Sequence, residues 1–248
     1  MAGGIGNRFW PVSNPSCPKQ FSDILHLGKS FIRQTYERIH RIFDNDHIFI
    51  VTGAEYENIT HEQIPELPLK NILKEPLRRN TATCITYAAV KIRNIDPGAT
   101  MVVIPSDHFI TNDEAYLNDL QSGIDFVGQS GGLLTIGIEP SRAETQYGYI
   151  QIKNQDKNER ISAVKTFTEK PDMDLAIKFY GMPAFLSGKL PISWRKSKNT
   201  STIYMHFLKK YRLLIHLKNK NISIIFTENV PIFLLMSASW KNRIMYMY

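Results

Sequence analysis

Segments with the periodicity of helices alternate with short β-rich runs through the first 180 residues of this 248-residue chain. Helical patterns occupy 30–43, 55–63, 81–93, 113–127 and 172–180. The β-rich runs between them lie at 48–51, 71–73, 101–104, 133–138, 149–152 and 161–167. This alternation predicts an α/β fold with a mostly parallel central sheet flanked by helices, in which ligands bind at the carboxyl ends of the strands.

The alternation stops after Tyr180, and the residues that follow have a different composition. Residues 181–248 contain 11 Lys and Arg residues and one acidic residue, Glu228. Residues 1–180 contain 19 basic and 22 acidic residues, so the formal net charge of +7 comes from the tail. We therefore predict one domain at 1–180 and an anomalous basic tail at 181–248.

Several features of the whole sequence limit the class of protein. No run approaches the roughly 18 apolar residues that a membrane span needs, and the first residues lack the layout of a secretory signal. The two cysteines, Cys17 and Cys84, are too few for a disulfide framework or a zinc site, which favours reduced structural thiols. These features predict a cytoplasmic, globular protein without a membrane partner.

A glycine-rich loop that ends in a basic residue lies at the start of the chain. Gly3, Gly4 and Gly6 have no side chains, so backbone N–H groups can approach a phosphate, and Arg8 can neutralise its charge. The spacing is that of neither the P-loop nor the Rossmann fingerprint, and a tight turn is the structural alternative. Lys19 supplies a second cation that would complete a polyphosphate clamp with Arg8, although an isolated lysine is most often solvated.

Polar residues follow two of the β-rich runs. Glu75, Asn80 and Thr81 lie between a predicted strand and a predicted helix, where nucleoside binding and helix capping are equally good explanations for Asn80 and Thr81. Asp107 follows the run at 101–104, and a carboxylate at this edge suits Mg²⁺ bridged to substrate phosphates. Capping of the next segment is the alternative role for Asp107.

Two later segments carry groups that suit a sugar phosphate. The first, ETQYGYI at 144–150, contains Gly148, and the second, FTEKP at 167–171, contains Glu169 and Lys170. Their hydrogen-bonding groups match sugar hydroxyls and a phosphate, although each segment alone is typical of an ordinary loop.

Taken in order, these segments resemble the mannose-1-phosphate guanylyltransferase family of sugar nucleotidyltransferases. The shared pattern is AGGxGxRxWP, PKQF, EPxxRNTA, PSDH, ETxYGYI and FxEKP, and it covers about residues 2–180. The resemblance implies a Rossmann-like nucleotide-diphospho-sugar transferase fold for the domain at 1–180. Position 146 is Gln where the family usually has Gly, which implies an altered loop on the sugar side.

The resemblance also implies a role for each candidate residue. The loop of Gly3, Gly4 and Gly6 would hold the phosphates of GTP, Arg8 and Lys19 would stabilise the leaving pyrophosphate, and Asp107 would hold Mg²⁺. Glu75, Asn80 and Thr81 would lie towards the nucleoside. Gly148, Glu169 and Lys170 would contact the phosphate and sugar of mannose 1-phosphate. The implied partners are GTP and mannose 1-phosphate, and a homo-oligomer is left open.

Both ends of the sequence depart from the family pattern. The family has a complete first strand before the glycine loop, so the start at Met1 predicts that this strand is lacking. Residues 229–248 can be back-translated with suitable synonymous codons and then read in another frame, from the third base of the Asn229 codon. The peptide that this frame allows resembles the family segment NISIDYxIMEKADNVYV. We interpret the tail as frameshifted. This interpretation explains its acid depletion better than a nucleic-acid or membrane-surface binder does, and it leaves an inactive remnant as the alternative to an active enzyme.

Overall fold

A computed structural model of the chain describes residues 10–75, 80–130, 133–153 and 161–182, together with the backbone of six strands from residue 185 onward. At 80–83 the backbone alone is described. These residues form two compact units. The first contains the described residues up to Ile95 and Val103–Leu117, and the second contains Asp96–Val102 and the described residues from Asn118 onward.

Helices and a parallel strand pair build the first unit. Its helices are α1 (Phe31–His40), α2 (Glu57–Gln63), α3 (Asn80–Ile95) and the start of α4 (Asp113–Ser130). Strands β1 (Ile50–Gly53) and β2 (Ile72–Glu75) pair in parallel, with Ile50 opposite Ile72. Helix α1 begins where the Ser30 side chain caps the backbone N–H of Arg33, a role for which serine is well suited.

The core of the first unit explains why these elements pack together. Phe21 and Tyr56 lie with ring centroids 5.6 Å apart, and the apolar face of α1 covers them. Burial of such side chains provides most of the free energy that holds helices against a strand pair. The buried members of this cluster are Phe21, Ile32, Tyr36, Ile50, Tyr56, Ile64, Leu67 and Ile72.

The second unit is built around a five-stranded sheet. Its strands, in spatial order, are β4 (Leu133–Gly137), β12 (Ile232–Met236), β6 (Ile161–Thr168), β5 (Gly148–Ile152) and β7 (Phe185–Gly188). β12 pairs in parallel with β4, and the remaining pairs of this sheet are antiparallel. Helix α5 (Met173–Tyr180) follows β6 and packs on this unit through Ala176 and Phe179, next to Tyr149.

The shorter strands of the second unit form two further sheets. β3 (Met101–Val102) pairs antiparallel with β8 (Ser193–Trp194). β9 (Thr202–Phe207), β10 (Tyr211–Lys218) and β11 (Asn221–Phe226) form an antiparallel meander. The described part of the predicted tail therefore consists largely of backbone strands, while its division from the domain at 1–180 stays a prediction.

The predicted helices and strands at 30–180 are all present, with ends that shift by a few residues. The largest difference is β3, which the apolar run predicts at 101–104 and the structure limits to Met101–Val102. Pro105 directly follows this run, and proline has no N–H to donate to a ladder. The α/β architecture agrees with the prediction, and parallel pairing is found at β1–β2 and β4–β12.

Candidate active site

Lys19 lies in a short 3₁₀ turn, Lys19–Phe21, that the core of the first unit holds in place. Its two neighbours, Gln20 and Phe21, are buried. The side chain of Gln63, at the end of α2, donates a hydrogen bond of 2.8 Å to the carbonyl oxygen of Phe21. Because both the side chain and the backbone of Phe21 are held, the backbone of Lys19 has a fixed position while its ammonium reaches outward.

Asp107 lies in the loop that follows β3, and helix α1 holds this loop from one side. Thr35 Oγ1, on α1, donates a hydrogen bond of 3.3 Å to the carbonyl oxygen of Ser106. One turn further along α1, Arg38 Nε donates to Asp113 Oδ1 at 2.5 Å. Helix α1 therefore contacts the chain just before Asp107, at Ser106, and again after it, at Asp113.

The structure brings the predicted residues Lys19 and Asp107 together. Lys19 Nζ forms an ion pair with Asp107 Oδ2. The two side chains are 24% and 20% exposed, so the pair lies at the surface of the first unit and can be reached by a ligand. The motifs that carry these residues are far apart in the sequence, and their contact creates one site that holds both a cation and a carboxylate.

Asp107 could hold a metal ion only if that ion takes most of its ligands from water and substrate. Among the described residues, no group of three His, Cys, Asp or Glu side chains lies close enough to hold a metal. Mg²⁺, however, commonly binds through one or two carboxylates and takes its other ligands from water and substrate phosphates. Asp107 therefore fits Mg²⁺ that arrives with a nucleotide, and the described residues around it do not form a metal site by themselves.

Glu75 occupies the predicted place at the end of a strand, and it is buried. It is the last residue of β2, and α3 begins with Asn80 and Thr81, whose side chains lie outside the described residues. Burial raises the pKa of the Cys84 thiol, on α3, to about 11, and a hydrogen bond to the Glu75 side chain adds to this effect. The thiol is therefore protonated at neutral pH, as predicted for a structural cysteine. Gly3, Gly4, Gly6 and Arg8 lie outside the described residues.

The three residues predicted to contact the sugar phosphate lie at one end of a strand pair in the second unit. Tyr149 of β5 is opposite Thr168 of β6, so Gly148, at the start of β5, and Glu169, just after β6, are at the same edge. Lys170 is exposed and has a φ of +41°, a left-handed conformation that costs a lysine about 1 kcal/mol. Its Nζ atom is 3.9 Å from Glu169 Oε1.

Comparison with known proteins identifies the family to which these sites belong. The sequence profile of the family described as nucleotidyl transferase matches residues 1–220. The chain belongs to the nucleotidyl transferase family. This assignment confirms the family membership that the six motifs predict, and it places the Lys19–Asp107 pair in an enzyme family whose substrates carry phosphate groups.

Individual relatives agree with this assignment. Mannose-1-phosphate guanylyltransferase of Escherichia coli is 33% identical over 187 residues, which are 72% of this chain and 39% of the relative. The chain thus spans about two fifths of the length of that relative. The crystal structure of mannose-1-phosphate geranyltransferase from Thermus thermophilus superposes with a TM-score of 0.70 at 26% identity, covering 79% of this chain and 56% of that one.

A more distant structure supports the fold alone. UDP-glucose pyrophosphorylase from Acinetobacter baumannii superposes with a TM-score of 0.53 at 16% identity, covering 78% of this chain and 73% of that one. The predicted Rossmann-like α/β fold is therefore confirmed. Within the part of the chain that the structure describes, no helix is both long and apolar enough to cross a membrane.

Three residues that contact the candidate site or the loop that carries it were not predicted from the sequence. They are Thr35 and Arg38, on one face of α1, and Asp113, the first residue of α4. Arg38 itself could have pointed to these residues, because it lies among the apolar residues of an amphipathic helix. A buried arginine needs a partner, and an acidic residue after the PSDH motif is a suitable one.

Gly148 has a packing role that its sequence motif does not reveal. A Cβ atom at this position would collide with the ring of Phe167, which lies on β6 beside the buried start of β5. We expect Gly148→Ala to lower the free energy of unfolding by about 1–3 kcal/mol, because the ring or the strand must move. Thermal and denaturant unfolding of the purified protein measure this change.

The matched control for this change is a helical glycine with free space around it. Gly128, in α4, has no atom within 4 Å of the place that a Cβ would take. Gly128→Ala is therefore expected to stabilise the protein by about 0.5–1 kcal/mol, since alanine restricts the unfolded chain and favours helix. Equal effects of the two substitutions would contradict a packing role for Gly148.

Two groups of the first unit are expected to make folding sensitive to alkaline pH. Burial raises the pKa of Tyr116 to about 12, an effect that Arg38 opposes and Asp113 supports, and burial raises the pKa of Cys84 to about 11. Both groups bind their proton more tightly when folded. Their stabilising contribution is therefore complete below the ordinary value of 9.0 for cysteine and is lost as the pH rises through 11 and 12.

Unfolding midpoints measured between pH 8 and 11 should fall above about pH 9 for this reason. The absorbance of ionised tyrosine gives a second reading of the same effect, in which Tyr116 ionises later than an ordinary tyrosine. Tyr116→Phe should reduce this late step, to which Tyr36 also contributes because burial raises its pKa. A titration curve that is unchanged in Tyr116→Phe would contradict the assignment.

Proposed function

We propose that this chain transfers GMP from GTP to mannose 1-phosphate, giving GDP-mannose and pyrophosphate, and that it does so in the cytoplasm. A phosphate oxygen of mannose 1-phosphate attacks the α-phosphorus of GTP in line. The bond from the α-phosphorus to the oxygen that bridges to the β-phosphate breaks, and pyrophosphate leaves with that oxygen. No covalent intermediate with the protein is needed, so catalysis consists of positioning and charge stabilisation.

The observation that carries this proposal is the Lys19–Asp107 pair. A lysine suited to phosphate and a carboxylate suited to Mg²⁺ meet at one surface, and each is held by a separate contact with the core or with α1. Mg²⁺, when bound, would supply positive charge to the phosphate oxygens. Arg8, with the loop of Gly3, Gly4 and Gly6, would provide the rest of the phosphate site.

The nucleoside and the sugar would be bound by the remaining predicted residues. Glu75 lies at the carboxyl end of β2, where α/β proteins place ligands, and Asn80 and Thr81 begin the next helix. Gly148, Glu169 and Lys170 share one edge of the second unit. The left-handed backbone of Lys170 supports a functional role, because strained conformations of this kind concentrate at ligand-binding loops.

Release of pyrophosphate by the purified chain tests the proposal. We expect release when GTP, mannose 1-phosphate and Mg²⁺ are all present, and none when any one is left out. Parallel reactions with UTP or dTTP, and with glucose 1-phosphate, test the neighbouring activities of sugar-1-phosphate nucleotidyl transfer. Turnover with one of these pairs and not with GTP and mannose 1-phosphate would change the proposed substrates and keep the reaction class.

A second candidate is an inactive chain with a frameshifted tail, and two buried hydroxyl groups favour it. Thr135 on β4 and Ser162 on β6 are both opposite Leu234 of β12, a tail strand. Within the described residues, Thr135 Oγ1 and Ser162 Oγ are buried without a hydrogen-bond partner, which costs about 1–3 kcal/mol each.

The two candidates differ in a simple experiment. An inactive remnant would release no pyrophosphate and would melt without a cooperative transition. Sequencing of the gene then tests the origin of the tail, because a single intact reading frame that encodes residues 181–248 would exclude a frameshift.

A further inference from the structure

Lys19 and Asp107 are expected to contact different parts of the substrate, yet in the free protein they contact each other. Under the proposed function, on which this inference rests, Lys19 binds phosphate oxygens and Asp107 binds Mg²⁺. The ion pair places an ammonium group against the carboxylate oxygen Asp107 Oδ2. A metal ion that binds this oxygen must displace the ammonium, because the two cations would occupy the same position.

We propose that Lys19 occupies the metal position at Asp107 in the free protein, and that binding of the metal–nucleotide complex exchanges this ion pair for two new ones. Lys19 moves from Asp107 to the phosphates, and Asp107 takes the metal that bridges them. Two consequences follow. The metal enters together with the nucleotide, and Asp107 holds Lys19 back from a nucleotide that carries no metal.

The backbone on each side of this exchange is held in place. Gln63 holds the carbonyl oxygen of Phe21, two residues after Lys19, and Thr35 holds that of Ser106, next to Asp107. The four-carbon stem of lysine is flexible and lets its ammonium move between neighbouring anions. The pair is half-buried at the surface of the first unit, with side chains 24% and 20% exposed.

The Lys19–Asp107 ion pair is weak enough for a bound nucleotide to replace it. Ion pairs that are open to solvent typically contribute about 0.2–1 kcal/mol, which is small against the attraction between a lysine and a polyphosphate. A nucleotide can therefore displace the pair. The pair still weakens binding of metal-free nucleotide by up to about fivefold, the factor that corresponds to its own strength.

Binding of GTP in excess EDTA, measured by calorimetry on the full chain, tests this proposal. Four proteins are compared: wild type, Asp107→Asn, Lys19→Met and the double variant. Loss of the Asp107 charge alone reduces repulsion of GTP in both backgrounds. Release of Lys19 can strengthen binding only when Lys19 is present. The gain in GTP affinity from Asp107→Asn should therefore be larger in the wild-type background than in the Lys19→Met background, by up to about fivefold.

The control is an ion pair of the same unit without a proposed role. Lys70 and Asp46 form an exposed pair of 3.3 Å with both side chains 73% exposed, and Asp46→Asn should leave binding of metal-free GTP unchanged. Thermal melts show which variants are folded. The proposal would be overturned if Asp107→Asn raised the affinity for GTP by the same factor in both backgrounds, or by a larger factor in the Lys19→Met background. Either result would mean that the Asp107 charge simply repels GTP. Failure of folded wild type to bind GTP even with Mg²⁺ would instead remove the proposed function, and the exchange with it.

Discussion

Replacement of Asp107 by Asn is expected to lower the turnover of GTP and mannose 1-phosphate by about 100-fold or more. The carboxylate is the one acidic group of the Lys19–Asp107 site, and asparagine keeps its size while removing its charge. Under the proposed function Asp107 would hold Mg²⁺, which a neutral amide binds poorly, so the charge that develops on the phosphates would lose part of its stabilisation. The effect should appear in kcat and not only in KM.

The fold should survive this change, which makes the result easy to interpret. The Lys19–Asp107 pair lies at the surface, with side chains 24% and 20% exposed, and surface ion pairs typically contribute about 0.2–1 kcal/mol. The melting temperature of Asp107→Asn should therefore stay close to that of wild type. Asp125→Asn, which removes an exposed carboxylate from α4, serves as the control and should keep full activity. Near-normal kcat in folded Asp107→Asn would exclude Asp107 from the reaction.

The sequence predicts the local elements of this chain well because the relevant signals are local. The helices predicted at 30–43 and 113–127 correspond to α1 and α4, which begin at Phe31 and Asp113, because helical spacing is read from neighbouring residues. The strands β1, β2 and β4–β6 follow from short apolar runs. By contrast, β12 could not be predicted, because its place beside β4 depends on pairing with distant residues and the tail has no clear periodicity.

The site is only partly predictable for a similar reason. The order of motifs identifies Lys19 and Asp107 as candidates, but their ion pair depends on how α1 positions the loop through Thr35 and Ser106. The motif around Gly148 predicts a ligand-binding glycine, whereas the structure also shows the ring of Phe167 in the space that a side chain would need. A sequence states which groups are present, and it does not state which neighbours the fold gives them.

Arg38 and Asp113 form an ion pair in which the two partners differ in their access to water. The Arg38 side chain is 5% exposed and lies 6.0 Å from the ring of Tyr116, while the Asp113 side chain is 40% exposed. Loss of one partner leaves the other with its charge. A buried charge without a partner costs several kcal/mol, but an exposed one is solvated by water.

Asp113→Asn should therefore destabilise the protein more than Arg38→Met, although both remove the same ion pair. We expect a loss of about 3 kcal/mol for Asp113→Asn, which leaves the guanidinium buried and also removes a negative charge from the first turn of α4. For Arg38→Met we expect about 1–2 kcal/mol, because methionine keeps much of the apolar stem and Asp113 stays hydrated near Arg41, at 4.0 Å.

Urea unfolding of the two single variants and of the double variant measures these differences. The double variant should be close to Arg38→Met, because once the buried guanidinium is gone the asparagine at 113 no longer leaves an unpaired charge. The opposite ranking of the single variants would show that Arg38 is stabilised mainly by the ring of Tyr116 or by other neighbours. The Arg38–Asp113 pair would then contribute little to holding the Asp107 loop, and pyrophosphate release by Asp113→Asn should stay near the wild-type rate.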